Sequence, residues 1–459
     1  MSASRFPLVP SEVPRVETKH RRIVTAIPVP QALPVLETLA RCESVAMHGQ
    51  LPVVWDTAEG FQVRDVWGNQ WIDFTSTIFV ANAGHANPRI VAALRRVLDK
   101  PLLHAYNYGT AIRAEYLQYL IDHTPAQFEK ACLFSAGTEA TEAALRLMRL
   151  HAAKTGKRRP GIVALEGCFH GETLGARMLG HNPAKKRWVG YLDPNIHHIP
   201  FPYPWREQAV RQPAAFFEAT MAELLAREGL DPQADLAGFM LETFQGWAAA
   251  FYPPDYVHAL HTFARRHGML ITFDEMQAGF GRTGRLFGYM HYGIEPDLMC
   301  CGKGASSSVP LSLILGPTSV LDLPEHGDMY STHSANPMAC AAGLANLQAL
   351  LDDGLIENAA RLGAVFHAKL EALQERYPCL ISRVCGKGLI AAVIFTDPAG
   401  APLAPLCDRI AELAMQRGLL VVHTGRESIK LAPPLCITEE ALTEGIDVLE
   451  SCVRDLTGG

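Results

Sequence analysis

Long apolar runs are absent from this sequence of 459 residues. No stretch approaches the roughly 18 apolar residues that a membrane-spanning helix needs, so we expect no association with a membrane. The N-terminal region carries Arg5, Pro7, Pro10 and Glu12 instead of an apolar segment, and we therefore expect no cleaved secretory signal. Positive charge is not in excess, because the formal net charge is −6, which gives no general attraction to nucleic acid. These absences argue against membrane, secreted and nucleic-acid-binding proteins.

The cysteines also lack the patterns that are typical of disulfides or metal ligands. There are eleven, an odd number, without CxxC pairs or the spacing of zinc ligands. Scattered thiols of this kind favour a reducing compartment over a disulfide framework. We therefore predict a cytoplasmic protein with no metal site.

What is present is the composition of a globular enzyme, with 48% hydrophobic and 19% charged residues. Between about residues 125 and 320, short apolar runs alternate with amphipathic segments. This alternation is typical of an α/β fold with a mostly parallel, doubly wound sheet. The strands that we predict are Ala131–Phe134, Gly161–Leu165, Leu236–Leu241, Met269–Phe273, Asp297–Cys301 and Ser312–Leu315.

Three regions are predicted along the chain. Residues 1–60 are proline-rich and are predicted to form an N-terminal arm and part of a small domain. Residues 61–338 are predicted to form a large domain, and its first part, a hairpin with a turn at Gly68, is expected to pack with the small domain. Residues 339–459 are long enough for a smaller α+β domain.

One lysine, Lys303, stands between two glycines directly after the predicted strand Asp297–Cys301. Because α/β sheets bind ligands at the carboxyl ends of their strands, Lys303 is a candidate Schiff-base nucleophile. Gly302 and Gly304 would let a cofactor approach the backbone closely. The alternative is a surface lysine in a glycine-rich turn, and only partner residues elsewhere can decide between the two.

Two other predicted strand ends carry groups that suit pyridoxal phosphate. Gly137 and Thr138 open a helix whose N-terminal N–H groups suit a phosphate dianion, although the same residues make a good helix cap. Asp274 follows a strand and can pair with a protonated pyridine nitrogen, which makes the ring an electron sink. Met276 is placed to pack on one face of that ring, and Gln277 to reach its hydroxyl.

Two further residues complete this set. Phe169 follows the strand Gly161–Leu165 and can stack on a pyridine ring, or it is a core phenylalanine. Thr332 precedes a predicted helix and can bind a phosphate, or it is part of an ordinary turn before Pro337. Each signal is weak alone, but lysine, acid, phosphate cap and aromatic ring occur together.

The sequence resembles the class III aminotransferase family, which has the pyridoxal-phosphate-dependent fold type I, from about Val63 to the C-terminus. The motifs that carry the resemblance are Asp65–Asn69, Gly84-His85, Ser135–Ala144, Phe169-His170-Gly171, Glu242 with Gln245-Gly246, Asp274–Gly284, Lys303-Gly304, and Thr332 with Asn336-Pro337.

The resemblance implies roles for these residues. Lys303 forms the Schiff base with the cofactor and then moves the proton next to the substrate nitrogen. Asp274 holds the pyridine nitrogen protonated, and Glu242 is similar to the family's glutamate near the substrate mouth. The remaining cofactor contacts are Gly137, Thr138, Phe169, Met276 and Gln277. Thr332 is expected to reach the phosphate from the neighbouring subunit, which implies a homodimer or a dimer of dimers.

The motif Ser428–Leu435, near the C-terminus, departs from the family pattern. Many members that act on α-amino acids have an arginine where this chain has Lys430. A lysine does not reproduce the bidentate guanidinium fork, but it suits a tetrahedral phosphonate. Arg426 is a candidate to compensate for the arginine that is absent at position 430. Phe79 is the last residue of a segment that replaces the glycine-rich turn usual in the family. The alternative is that Lys430 is simply a solvated strand residue.

These residues predict an enzyme that acts on the terminal amine of a small anionic substrate. The lysine resembles the family's ammonia-releasing branch, so the narrow prediction is an ammonia-lyase of phosphonate degradation. It would remove the β-hydroxyl of 1-hydroxy-2-aminoethylphosphonate to give phosphonoacetaldehyde and ammonia. The alternative is an ω-aminotransferase that transfers the amine to a keto acid. A non-catalytic binding protein on this fold is disfavoured because Lys303 and Asp274 are both present.

Overall fold

The computed structural model describes residues 5–100 and 102–457. It divides into two compact units. Pro88–Glu357 form the larger unit, and the residues up to Asn87 form the smaller unit together with those from Asn358 onward.

The larger unit is built on a seven-stranded sheet. From one edge to the other its strands are Lys130–Phe134, Ser312–Gly316, Leu298–Cys301, Leu270–Asp274, Leu236–Glu242, Gly161–Leu165 and Ile196–Ile199. Ser312–Gly316 is antiparallel to both neighbours, and the other six strands run in one direction. All six predicted strands are confirmed to within a residue at each end. The strand Ile196–Ile199 was missed because His197 and His198 interrupt its apolar pattern.

Helices cover this sheet. Those of the larger unit are Pro88–Asp99, Ala111–Asp122, Gly137–Lys154, Leu174–Leu179, Glu207–Arg211, Pro213–Glu228, Pro232–Asp235, Pro254–Arg266, Thr318–Leu321 and Pro337–Asp352. Short 3-10 turns lie at Pro183–Lys186, Gly288–His291 and Lys303–Ala305, and a hairpin joins Phe244–Gln245 to Ala250–Phe251. The helix Gly137–Lys154 packs on the centre of the sheet, where its buried Ala140 and Ala144 let it approach closely.

The smaller unit contains two sheets. The first has the strand order Val16–Glu17, Arg22–Ile23, Gln70–Asp73, Gln62–Arg64 and Thr57–Glu59, and Leu419–Leu420 pairs parallel to Gln70–Asp73. The second has the order Ile381–Lys387, Ile390–Phe395, Ser428–Leu431 and Val422–His423. The helices are Leu33–Cys42, Ser76–Phe79, Ala404–Gln416 and Glu439–Thr457, with 3-10 turns at Pro30–Ala32 and Val45–Met47. The helix Leu355–Arg376 begins in the larger unit, and most of its residues belong to the smaller one.

This division differs from the predicted boundaries at residues 60 and 338. Residues 61–87 belong to the smaller unit, because the hairpin strand Gln70–Asp73 pairs with Leu419–Leu420. The helix Pro337–Asp352 belongs to the larger unit, because it packs on Pro88–Asp99 and Ala111–Asp122. The predicted turn at Gly68 is confirmed, with a φ of 93° that favours glycine.

The described part of the chain has neither a membrane-spanning helix nor a metal-binding cluster. None of the helices in residues 5–100 and 102–457 is long and apolar enough to cross a membrane. Within the same residues, no group of three or more His, Cys, Asp or Glu side chains could hold a metal ion.

A buried carboxylate, Glu275, connects the sheet to the turn Gly288–His291. Its oxygens accept hydrogen bonds from Thr243 Oγ1 at 2.6 Å and from the backbone N–H groups of Gly288 and Tyr289 at 2.7 Å each. Burial raises the pKa of Glu275 to about 7, although these hydrogen bonds act in the opposite direction. The folded chain therefore binds this proton more tightly than the unfolded chain does.

We predict that the contribution of Glu275 to stability falls as the pH rises. A carboxyl group whose pKa is raised in the folded state makes its full contribution to stability below pH 4.5. This contribution is lost as the pH rises past 7. The shift corresponds to at most about 3 kcal/mol. The advantage of the wild type over Glu275→Gln, measured by thermal unfolding, should shrink between pH 5 and pH 8. Glu295→Gln, at an exposed position, is the control, and an advantage of Glu275 that is constant with pH would contradict the prediction.

Candidate active site

A cavity opens at the carboxyl edge of the seven-stranded sheet. It holds about 780 Å³ of empty volume including its open mouth, within the range of small-molecule sites. Its lining residues are Gly137, Thr138, Phe169, His170, Gly171, Glu172, Glu242, Thr243, Phe244, Asp274, Met276, Gln277, Ala278 and Lys303. Because the parallel strands all end at this edge, residues far apart in sequence meet here.

Asp274 is held at the end of its strand by two hydrogen bonds. Its Oδ2 lies 2.9 Å from His170 Nδ1, and its Oδ1 accepts a 3.0 Å bond from the Met276 N–H. Asp274 and His170 are both buried. Burial by itself would lower the pKa of His170, but Cys168 and the bond to Asp274 outweigh it and hold that pKa well above its usual value. The bond to His170 orients the Asp274 carboxyl group at the end of its strand.

Lys303 begins the 3-10 turn that follows the strand Leu298–Cys301. Its φ of 32° is unusual for a residue with a side chain and marks local strain. Burial lowers the pKa of Lys303, although Asp274 and Glu242 act in the opposite direction. A lowered pKa increases the fraction of neutral amine, which is the nucleophilic form.

The position of Met276 leaves room only for glycine at two neighbouring sites. A Cβ atom on Gly302 would lie 2.6 Å from Met276 Sδ, and one on Gly137 would lie 2.8 Å from it. Any larger residue at either position would displace the thioether. Met276 is therefore fixed between the Lys303 turn and the start of the helix Gly137–Lys154.

That helix start is suited to an anion. The carboxylate of Glu139 accepts hydrogen bonds from the N–H groups of Ser135 and Ala136. Within the described residues, no hydrogen bond uses the N–H groups of Gly137 or Thr138. Two available donors at a helix N-terminus fit a phosphate group.

Thr173 supports this corner of the cavity, and the sequence interpretation missed it. Its hydroxyl lies 2.6 Å from Thr138 Oγ1 and donates to Glu142 Oε1, also at 2.6 Å. Its N–H donates to Thr138 Oγ1 at 3.3 Å. A threonine in a turn carries no distinctive signal, since only the fold brings residue 173 next to residue 138.

Glu242 also lines the cavity and is buried. Its Oε2 accepts hydrogen bonds from Gln245 Nε2 at 3.2 Å and from the Phe169 N–H at 3.4 Å. A Cβ atom on Gly246 would lie 2.4 Å from Glu242 Oε1, so the glycine of this motif makes room for the carboxylate.

The structure brings together most of the predicted site residues, and it places the others elsewhere. Those that line the cavity are Gly137, Thr138, Phe169, Glu242, Asp274, Met276, Gln277 and Lys303. Thr332 is exposed, and its carbonyl oxygen lies 2.9 Å from His104 Nε2.

The remaining three predicted residues belong to the smaller unit. Lys430 is buried there, not solvated, and its Nζ lies 4.2 Å from the centroid of the Phe79 ring. Arg426 is exposed and contacts the carboxylate of Glu427 at 3.2 Å.

Comparison with known proteins identifies the family. The class-III aminotransferase profile matches residues 44–453. The 2-aminoadipate transaminase of Pseudomonas putida is 33% identical, over 89% of this chain and 95% of its own length. The 4-aminobutyrate aminotransferase of Mycobacterium tuberculosis is also 33% identical, over 95% of this chain and 99% of its own.

A solved structure agrees with these relatives. The ornithine aminotransferase of Toxoplasma gondii, which has partial occupancy of pyridoxal phosphate at its active site, superposes with a TM-score of 0.80. It is 25% identical, and the superposition covers 94% of this chain and 96% of that one. The chain described here belongs to the class-III aminotransferase family, has the fold type I architecture, and uses pyridoxal phosphate as its cofactor.

Proposed function

We propose that this chain is an ω-aminotransferase that transfers the terminal amine of a small anionic substrate to a keto acid. The observation that carries the proposal is that Lys303, with its lowered pKa, and the buried Asp274 line the same cavity. The relatives compared above are named transaminases, which favours amine transfer over elimination.

We infer that residues lining the cavity would contact each part of pyridoxal phosphate. The N–H groups of Gly137 and Thr138 would hold the phosphate, and Asp274 would hold the pyridine nitrogen. Phe169 and Met276 would pack on the ring faces, and Gln277 would contact the hydroxyl. In a homodimer or a dimer of dimers, the partner subunit's Thr332 would complete the phosphate site.

Proton movement is assigned to Lys303. When bound, pyridoxal phosphate supplies an electron sink for the electron pair that remains after a proton leaves the carbon next to nitrogen. Lys303 Nζ, as a neutral amine, accepts that proton and later returns it. Asp274, held by its 2.9 Å contact with His170 Nδ1, would pair with the protonated pyridine nitrogen of the bound cofactor.

The ammonia-lyase predicted from the sequence is the second candidate. One observation favours it: Lys430 stands where family members that bind α-carboxylates have arginine, and a point charge suits a phosphonate. In the lyase, the first proton transfer is the same. Loss of the β-hydroxyl as water then leaves an enamine, which takes up water and releases aldehyde and ammonia. The comparisons give no support to elimination specifically, so transfer ranks first.

Keto-acid dependence separates the two candidates. We expect the purified enzyme to convert 4-aminobutyrate only when pyruvate or 2-oxoglutarate is present, with one amino acid formed for each amine consumed. Ammonia should not accumulate when 1-hydroxy-2-aminoethylphosphonate is supplied without a keto acid. Stoichiometric ammonia release in that reaction, measured by an ammonia assay, would instead establish the lyase.

Replacement of Lys303 tests the nucleophile. We expect Lys303→Ala to lower turnover by about 10²–10⁴-fold, because both the covalent attachment and the acid–base group are lost. Borohydride reduction followed by peptide mass spectrometry should find the cofactor on Lys303 in the wild type. Lys130→Ala, which removes an exposed partner of Asp322, is the matched control and should retain activity. Cofactor attached to another lysine in the wild type would contradict the assignment.

A further inference from the structure

An ion pair borders the cavity on the side of Phe169. Arg177, in the helix Leu174–Leu179, pairs with the carboxylate of Glu172, which lines the cavity. The guanidinium carbon lies 5.8 Å from the centroid of the Phe169 ring, which also lines the cavity. A cation therefore lies next to two lining residues, and neither the sequence motifs nor the proposed cofactor contacts give it a role.

The two partners of this pair differ in their exposure. Only 6% of the Arg177 side chain is exposed, against 70% of the Glu172 side chain. Burial lowers the pKa of Arg177, and its Nε has no hydrogen-bond partner among the described residues. A buried guanidinium without an anion is strongly disfavoured, whereas an exposed carboxylate is well hydrated on its own. Glu172 can thus leave the pair easily, but Arg177 needs an anion in its place.

We propose that Arg177 binds the anionic group of the amine substrate, which takes the place of the Glu172 carboxylate. A carboxylate or phosphonate can satisfy the guanidinium with two parallel hydrogen bonds. The exchange replaces one anion with another, so the buried charge stays paired throughout. An uncharged amine offers no such replacement, and the enzyme therefore selects anionic amines. This inference rests on the proposed function and applies to the amine substrate of either candidate reaction.

Matched pairs of ligands test the inference. The pyridoxal-phosphate-loaded enzyme is titrated with 4-aminobutyrate and with 1-aminobutane, which differ in the carboxylate, and the change in cofactor absorbance gives each dissociation constant. A second pair is 2-aminoethylphosphonate and aminoethane. For Arg177→Gln we expect at least about tenfold weaker binding of the anionic member of one pair or both, and less than about twofold change for the uncharged members. Arg177→Lys should fall between the wild type and Arg177→Gln.

Glu172→Gln provides a test that does not depend on a buried substitution. Removing the competing carboxylate should tighten binding of the anionic amines by about threefold or more and leave the uncharged amines unchanged. Lys186→Gln is the control, since it removes a nearby cation whose Nζ donates to the Met178 carbonyl. It should not change the preference for anionic over uncharged amines.

The outcomes separate this inference from the proposed function. If the wild type responds to amines, but Arg177→Gln weakens both members of a pair equally or neither, Arg177 is not the anion site. Weaker binding of anionic amines to Glu172→Gln would also overturn the exchange. If the wild type shows no absorbance response to any of the four amines, the proposed function fails, and this inference fails with it.

Discussion

The common direction of six strands in the larger unit determines where the reactive groups of this chain lie. Each strand places its carboxyl end at the same edge of the sheet, and the residues that follow Phe134, Leu165, Glu242, Phe273 and Cys301 converge there. Helix starts face this edge as well, so N–H donors, carboxylates and a lysine share one cavity. If the strands were antiparallel, the same residues would be divided between two edges.

Close packing holds the residues of this cavity in place. Met276 fills the space that Gly137 and Gly302 leave, so the start of the helix Gly137–Lys154 and the Lys303 turn pack on one side chain. Burial lowers the pKa of Lys303, and the bond to His170 orients the Asp274 carboxyl group. An amine with a lowered pKa and a buried carboxyl group thus share one cavity, which is the combination that a pyridoxal-phosphate enzyme needs.

Each unit holds a buried cation next to an aromatic ring. In the smaller unit Lys430 lies over Phe79, and in the larger unit Arg177 lies beside Phe169. Lys430 can be recognised from the sequence, because it stands in a motif where many family members have arginine. Arg177 has no such signal, since a single arginine in a short helix is normally solvated. Only its burial and its pairing with Glu172 indicate a functional role for Arg177.

The sequence by itself determined six of the seven strands of the large sheet, the positions of Lys303 and Asp274 at strand ends, and the family. These are local properties, since alternation, an apolar run or a glycine beside a lysine can be recognised within a few residues. Tertiary structure alone decided which distant residues share a partner. It joined Gln70–Asp73 to Leu419–Leu420, placed Thr173 against Thr138, and paired His170 with Asp274. Strand pairing, burial and hydrogen bonding depend on contacts between residues that are far apart in the chain, and no local pattern encodes those contacts.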